Sequence, residues 1–94
     1  EDIVRKVSDV SNVPEKEIIG KSRKMELVEA RQISMYLCRD IMGTSLNNIG
    51  VYFGGRDHTT VMHAVKTINN KKTTDHRLNK TIESLKQELD FTFV

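Results

Sequence analysis

Apolar residues recur at helical spacing from the first turn of the chain. Ile3, Val4, Val7 and Val10 mark a helix over about Asp2–Ser11, interrupted where Asn12 is followed by Val13 and Pro14. Pro14 fits the first turn of a short second helix through Glu15, Glu17 and Ile18. A missing amide hydrogen costs nothing there, and acidic side chains favour the positive end of the helix dipole. Gly20 stops that helix, and Lys21-Ser22-Arg23-Lys24 has no apolar period, which predicts an exposed basic loop. From about Leu27 to Met42 there are good helix formers and no Gly or Pro. Its apolar side chains occupy two faces, Ile33, Leu37 and Ile41 on one and Met35, Cys38 and Met42 on another, as expected of a central scaffold helix. Gly43 ends it. Ser45 suits the N-cap of a shorter helix with Leu46, Ile49 and Phe53 inward, and Gly54-Gly55 breaks the chain again. A helix over about Asp57–Asn70 follows with Val61, Ala64, Val65 and Ile68 on one side. A last one, about Asp75–Asp90, carries Leu78, Ile82, Leu85 and Leu89.

Burying a Leu, Ile or Val contributes about 1.5–3 kcal/mol, so these stripes read first as one hydrophobic core. The last stripe spans too few heptads for a coiled coil and is expected to pack on the domain. The pattern predicts an all-α fold: a single domain over residues 1–94, with a central helix-turn-helix at about 45–70 and a C-terminal packing helix.

The face opposite the stripe of the Asp57–Asn70 helix is the distinctive one. At about 100° per residue, Thr59, His63 and Lys66 point together, away from Val61, Val65 and Ile68. Thr60 and Met62 flank them, and Asp57 and His58 lie at the N-terminal end, where a recognition helix meets base edges. Asp57 can accept from an exocyclic amine, the histidines can donate or accept, and threonine methyls can meet a thymine methyl. Asp57 is also suited to cap its own helix, and the two roles are compatible. Arg56 and Lys66 bracket the face as phosphate ligands. Lys21, Arg23 and Lys24 suit a phosphate or a minor groove, as in flexible basic arms.

Charge sharpens this picture. The formal net charge of +2 conceals a net +5 between Lys21 and Lys72, where nine basic and four acidic residues fall. A basic segment inside a nearly neutral chain is the footprint expected for a phosphate partner, although a solvated face produces the same bias. With 37% hydrophobic and 30% charged residues, one Pro and five Gly, the composition is that of a folded soluble domain. No apolar run approaches the roughly 20 residues of a membrane span, and acidic Glu1 and Asp2 stand where a signal peptide would be basic, so a cytoplasmic setting is expected.

Other chemistries find little. His58 and His63 are five apart, about 140° around a helix, and Cys38 is a single remote ligand, so no metal site is expected. There is no Gly-x-Ser-x-Gly turn, and Gly54-Gly55 lacks the Gly-Lys-Ser/Thr ending of a phosphate loop. Neither catalysis nor a cofactor is expected. Cys38 has no partner for an internal disulfide and reads as a packing residue.

The run Gly54-Gly55-Arg56-Asp57-His58-Thr59-Thr60-Val61-Met62-His63-Ala64, with Ala30-Arg31-Gln32-Ile33-Ser34-Met35-Tyr36-Leu37, strongly resembles the signature of the C-terminal DNA-binding domain (domain IV) of the DnaA family of bacterial replication initiators. The basic loop and the Ser45-Leu46 to Ile49-Gly50 helix start belong to the same resemblance, which extends over nearly the whole chain. It implies recognition of double-stranded DNA at short A·T-rich origin boxes for initiation of chromosomal replication. By motif position, Asp57, His58, Thr59 and Thr60 would contact bases and nearby phosphates in the major groove, with His63 further along and Arg23 in the minor groove. Lys21, Arg31, Gln32, Arg39, Thr44 and Ser45 would contact or position against phosphate. The family joins this domain to an ATPase module, so ATP binding and oligomerisation are expected outside these residues and the domain itself is expected to be monomeric.

Four positions depart from the family pattern. Asn47 stands where many relatives have Pro, beside Leu46, whose apolar contact with a thymine methyl is then altered. Ser22 and Met25 occupy loop positions that are often more basic, and Cys38 replaces a commoner Ala. The competing expectation is a helical protein-interaction module with a partner patch of Tyr52, Met62 and His63.

Overall fold

The computed structural model describes residues 2–93, which form six helices and no strand: α1 (Asp2–Ser11), α2 (Glu15–Ile19), α3 (Met25–Asp40), α4 (Leu46–Tyr52), α5 (His58–Lys71) and α6 (His76–Phe93). The all-α expectation holds. Local chemistry explains most boundaries. Asn12, at φ 59°, adopts the left-handed conformation that Asn tolerates better than most residues, and Val13 N–H then donates back to Ser8 O at 3.2 Å, closing α1. Ser45, Asp57 and Asp75 each accept from a backbone N–H of the first turn that follows, those of Asn48, Thr59 and Leu78 respectively.

Helix α3 is the scaffold, packed against α1, α2, α4 and α5, while α6 lies against α1. One core joins them: Val4 and Val7 of α1, Ile18 of α2, Ile33 and Leu37 of α3, Ile49 and Phe53 of the α4 region, Val61 and Ile68 of α5, and Leu78, Ile82, Leu85 and Leu89 of α6 are all buried. The α6 stripe is therefore core within the domain. Ser34 is buried among these residues and donates to Ala30 O at 2.8 Å, satisfying its hydroxyl inside the helix.

Four expectations need correction. Pro14 is the N-cap of α2 rather than a residue of its first turn. Helix α3 starts at Met25 and ends at Asp40, about two residues earlier at each end than expected. Met42 falls past that earlier end and is 53% exposed, so it leaves the face on which Met35 is buried. Val10, in the last turn of α1, is 48% exposed and lies outside the core.

Candidate nucleic-acid interface

Helices α4 and α5 and the turn between them form a helix-turn-helix. The turn has little freedom. Gly54 and Gly55 have φ of 85° and 78°, a region costly for any residue with a Cβ, and Phe53, fully buried, anchors the end of α4. Gly50 O accepts from Arg56 N–H at 2.8 Å, and a Cβ on Gly50 would stand 2.1 Å from Arg56 O. Only glycine allows α4 and the entry to α5 to approach this closely.

Across that turn α5 divides into two faces. Val61, Ala64 and Ile68 are buried and Val65 is half-buried, whereas His58, Thr59, Thr60, Met62, His63 and Lys66 are exposed. Asp57 Oδ1 accepts from Thr59 N–H at 3.3 Å and lies 3.1 Å from His58 Nδ1. The Thr59 backbone N–H, then the Thr59 hydroxyl, with a smaller contribution from His58, hold the Asp57 carboxyl below the usual carboxylate range. The residue is thus a cap and an ionised acceptor at neutral pH, still open to solvent.

The phosphate candidates fall into distinct settings. Lys21, Arg23 and Lys24 are exposed on the loop, and Ser22 is half-buried, with its hydroxyl accepting from Lys24 N–H. Ser45 is exposed at the start of α4, while Thr44, Leu46 and Gln32 are half-buried. Exposed Arg39 donates to Thr44 O at 3.1 Å, bracing the α3–α4 connection. Arg39 and Lys66 also line a groove between α3 and α5 that includes Asn69. Asn69 was missed by sequence reasoning. The available signal was its position three residues beyond Lys66, and its amide has the donor–acceptor pair suited to a base edge or phosphate.

Arg31 and Arg56 are corrections. Arg31 is 7% exposed, and its guanidinium donates to Ile18 O at 2.7 Å, Ser22 O at 3.0 Å and Glu17 O at 3.1 Å. Burial first, and the nearby Arg56 charge second, lower its pKa from the ordinary arginine value. Each of its three guanidinium nitrogens thus donates to a backbone carbonyl of the protein, and the side chain does not stand out as a free cation. Arg56 is half-buried and donates to Gly20 O rather than standing out beside the recognition face. The Tyr52, Met62 and His63 patch also divides: Tyr52 sits edge-on to the Phe53 ring and lines a cleft with Ile3, Cys38 and Met42, while Met62 and His63 are on the outer face of α5.

Three lysines at or beyond the end of α5 have partners within the protein. Lys71 lies 3.8 Å from a Glu29 carboxylate oxygen, Lys72 donates to the Tyr36 hydroxyl at 2.8 Å, and Lys86 lies 2.8 Å from Asp40. No group of three or more His, Cys, Asp or Glu side chains suited to a metal occurs among the described residues.

Comparison with known proteins agrees with this geometry. A family model described as the bacterial DnaA protein helix-turn-helix matches residues 1–68. The chromosomal replication initiator protein DnaA of Ruegeria pomeroyi is 47% identical over 90 residues, covering 96% of this chain and 19% of that protein. That of Oenococcus oeni is 46% identical over 88 residues, covering 94% and 20%. Among solved structures, a DNA replication initiation factor matches with a TM-score of 0.82 and 32% identity over 93% of this chain and 26% of its own. AMPPCP-bound DnaA from Aquifex aeolicus matches with a TM-score of 0.69 and 28% identity, over 93% and 28%. The chain thus spans about a fifth of the length of these sequence relatives. A match over most of its residues, together with the helix-turn-helix geometry, establishes that the chain belongs to the bacterial DnaA helix-turn-helix family.

Proposed function

We propose that this chain binds double-stranded DNA sequence-specifically, reading short A·T-rich boxes of a replication origin for the initiation of chromosomal replication. The observation that carries this reading is the outer face of α5. His58, Thr59, Thr60, His63 and Lys66 are exposed on a helix whose other face is fixed in the core, and the Asp57 carboxylate sits at its start. Small polar side chains at a helix N-terminus allow close approach to base edges, so α5 enters the major groove. Arg23 reaches the adjacent minor groove and Leu46 meets a base methyl. Lys21, Lys24, Arg39, Lys66, Ser45 and Thr44, with Gln32, sit against phosphates, which position the protein without reading sequence.

The relatives are named as replication initiators, and one was solved with an ATP analogue bound. This chain supplies DNA recognition and no catalysis, acting as a single monomeric domain within the bacterial cytoplasm. ATP chemistry and assembly belong to other parts of the family's longer proteins.

The test is a fluorescence-anisotropy titration of the chain with a labelled A·T-rich origin-box duplex and a scrambled duplex at two salt concentrations. The box is expected to bind at least roughly a thousandfold more tightly, with both affinities falling steeply as salt rises. Equal binding of the two duplexes would defeat the proposal. Within it, Asp57→Ala or His58→Ala should weaken the box roughly 10- to 100-fold and leave random duplex nearly unchanged. Equal losses on both duplexes would remove these residues from the base-reading set.

A further inference from the structure

The loop that presents Arg23 lacks a hydrogen-bond ladder of its own. Between Gly20 and Lys24 no helix or strand forms, and the Ser22 hydroxyl accepting from Lys24 N–H is a contact local to it. What holds the segment is a pair of guanidinium groups from outside. Arg31, on the scaffold helix α3, holds the loop to the helix before it. It bonds to the Glu17 and Ile18 carbonyls at the end of α2, and to the Ser22 carbonyl within the loop. Arg56 bonds to the Gly20 carbonyl between them.

Arg56 is also the residue immediately before the Asp57 cap, and its own backbone is fixed on Gly50. The Arg56 Nε–H is buried and has no hydrogen-bond partner, so this guanidinium is confined in the protein rather than extended towards solvent. Two arginines close enough for one to lower the pKa of the other are an electrostatic cost. The four carbonyl oxygens they engage, two of them at the negative end of α2, offset it.

We infer that Arg31 and Arg56 are positioning residues for DNA recognition: together they fix the register between the minor-groove loop and the major-groove helix, a role that rests on the DNA-binding reading above. Arg56 ties the start of the loop to the start of α5, and Arg31 ties the end of α2 and the loop to α3. Arg23 then meets the groove at one fixed offset from Asp57 and His58. The preference at the loop end of a box depends on that offset as much as on Arg23 itself.

The experiment compares the unaltered chain with Arg56→Gln, Arg23→Ala and the double variant. Three duplexes are titrated at two salt concentrations: the box, a box altered at the end facing the loop, and a box altered at the end facing α5. Arg56→Gln is expected to lose roughly tenfold of its preference at the loop end. It should keep its preference at the α5 end and keep the salt slope, because no phosphate ligand has been removed. The double variant should bind the box within about twofold of Arg23→Ala, since both changes disable one contact. Backbone amide exchange at Lys24 of the free protein, whose N–H is bonded within the loop, should accelerate in Arg56→Gln and less so in Arg56→Lys, which keeps a charged donor.

A salt slope lower by about one on every duplex would make Arg56 a phosphate ligand and overturn the inference. Multiplicative losses in the double variant, or unchanged loop exchange in both Arg56 variants, would also overturn it. If the unaltered chain fails to prefer the box, the DNA reading itself falls and the register claim falls with it. Circular dichroism confirms that each variant is folded, and an unfolded glutamine variant leaves the decision to Arg56→Lys and its loop exchange.

Discussion

Two faces of the scaffold helix α3 treat positive charge in opposite ways. On one face, Arg31 and the neighbouring Arg56 bond to uncharged carbonyl oxygens, and Lys21, Arg23 and Lys24 stand exposed on the loop they hold. On the opposite face, Lys86 pairs with Asp40 at the helix end, while Lys71 and Arg77 share Glu29 near its start. Lys72 and Lys86 also lie over the Tyr36 ring, at 5.3 and 5.6 Å from its centre. A carbonyl satisfies the donors of a cation but leaves its formal charge in place, whereas a carboxylate cancels it. The net +5 between Lys21 and Lys72 is therefore an uneven field. It is concentrated at the loop and weakened on the α6 side, which is the asymmetry that the proposed DNA binding would use.

The largest effect expected from this contrast is on stability. Arg31→Leu leaves three buried or half-buried carbonyls without their charged donor and should cost about 3 kcal/mol or more in urea unfolding. The midpoint should fall while the denaturant slope stays the same. A loss below about 1 kcal/mol would mean that water replaces the guanidinium easily, and the carbonyl-held face would then be no more constrained than the other.

Why the arginine contacts on that face are not legible in the sequence is a matter of distance along the chain. Ser45, Asp57 and Asp75 cap helices through backbone groups two or three residues away, so their roles are written in adjacent letters. The core stripes are equally local, and the helices they mark are all present. Arg31 reaches Ile18 across 13 residues and Arg56 reaches Gly20 across 36, both through backbone carbonyls that every residue possesses. In sequence such an arginine looks the same as one bound to phosphate. The shifted start of α3 has a similar cause, because its N-cap Lys24 makes no side-chain cap bond and so gives no local signal. The division of α5 into an exposed polar face and a buried apolar face was legible because outward polar and inward apolar positions alternate at the helical period.

Binding gives the next test of the contrast. Lys21→Ala should weaken every duplex and reduce the salt slope by about one, whereas Lys71→Ala, on the Glu29 side, should leave the slope unchanged. Titrations across several salt concentrations separate the two. Equal slopes for both variants would erase the proposed asymmetry of the field.

A smaller effect belongs to Lys86. Its hydrogen bond to Asp40, opposed by some desolvation, raises the ammonium pKa above the ordinary lysine value. Its contribution is fully present below that ordinary value, about 10.4, and disappears as pH rises through the higher folded value. Asp40 is 45% exposed, so solvent screening limits the pair and Lys86→Ala should cost only about 0.5 kcal/mol at neutral pH. Thermal unfolding of both forms at pH about 7 and about 11.5 checks it. The difference should narrow at the higher pH, and a loss near that of Arg31→Leu would break the ranking of the two faces.

The smallest change lies at the other extreme of pH and isolates the start of α5. Thr59 holds Asp57 ionised below the ordinary carboxylate pKa, so the cap is intact above that range and is lost as pH falls through the depressed folded value. The side chain is open to solvent, and the consequence is local: the first turn of α5 should fray in acid while the core beneath Val61 and Ile68 persists. The Thr59 amide resonance, followed from pH about 6 to about 2, should titrate with a midpoint below the ordinary Asp value of about 3.9. The titration should vanish in Asp57→Asn, which has no carboxylate to protonate. A midpoint at or above the ordinary value would show that Thr59 does not hold the charged form. Asp57 would then be free to face DNA without being preorganised by its own helix, and the recognition end would lose the local constraint that distinguishes it from the solvated charges behind α3.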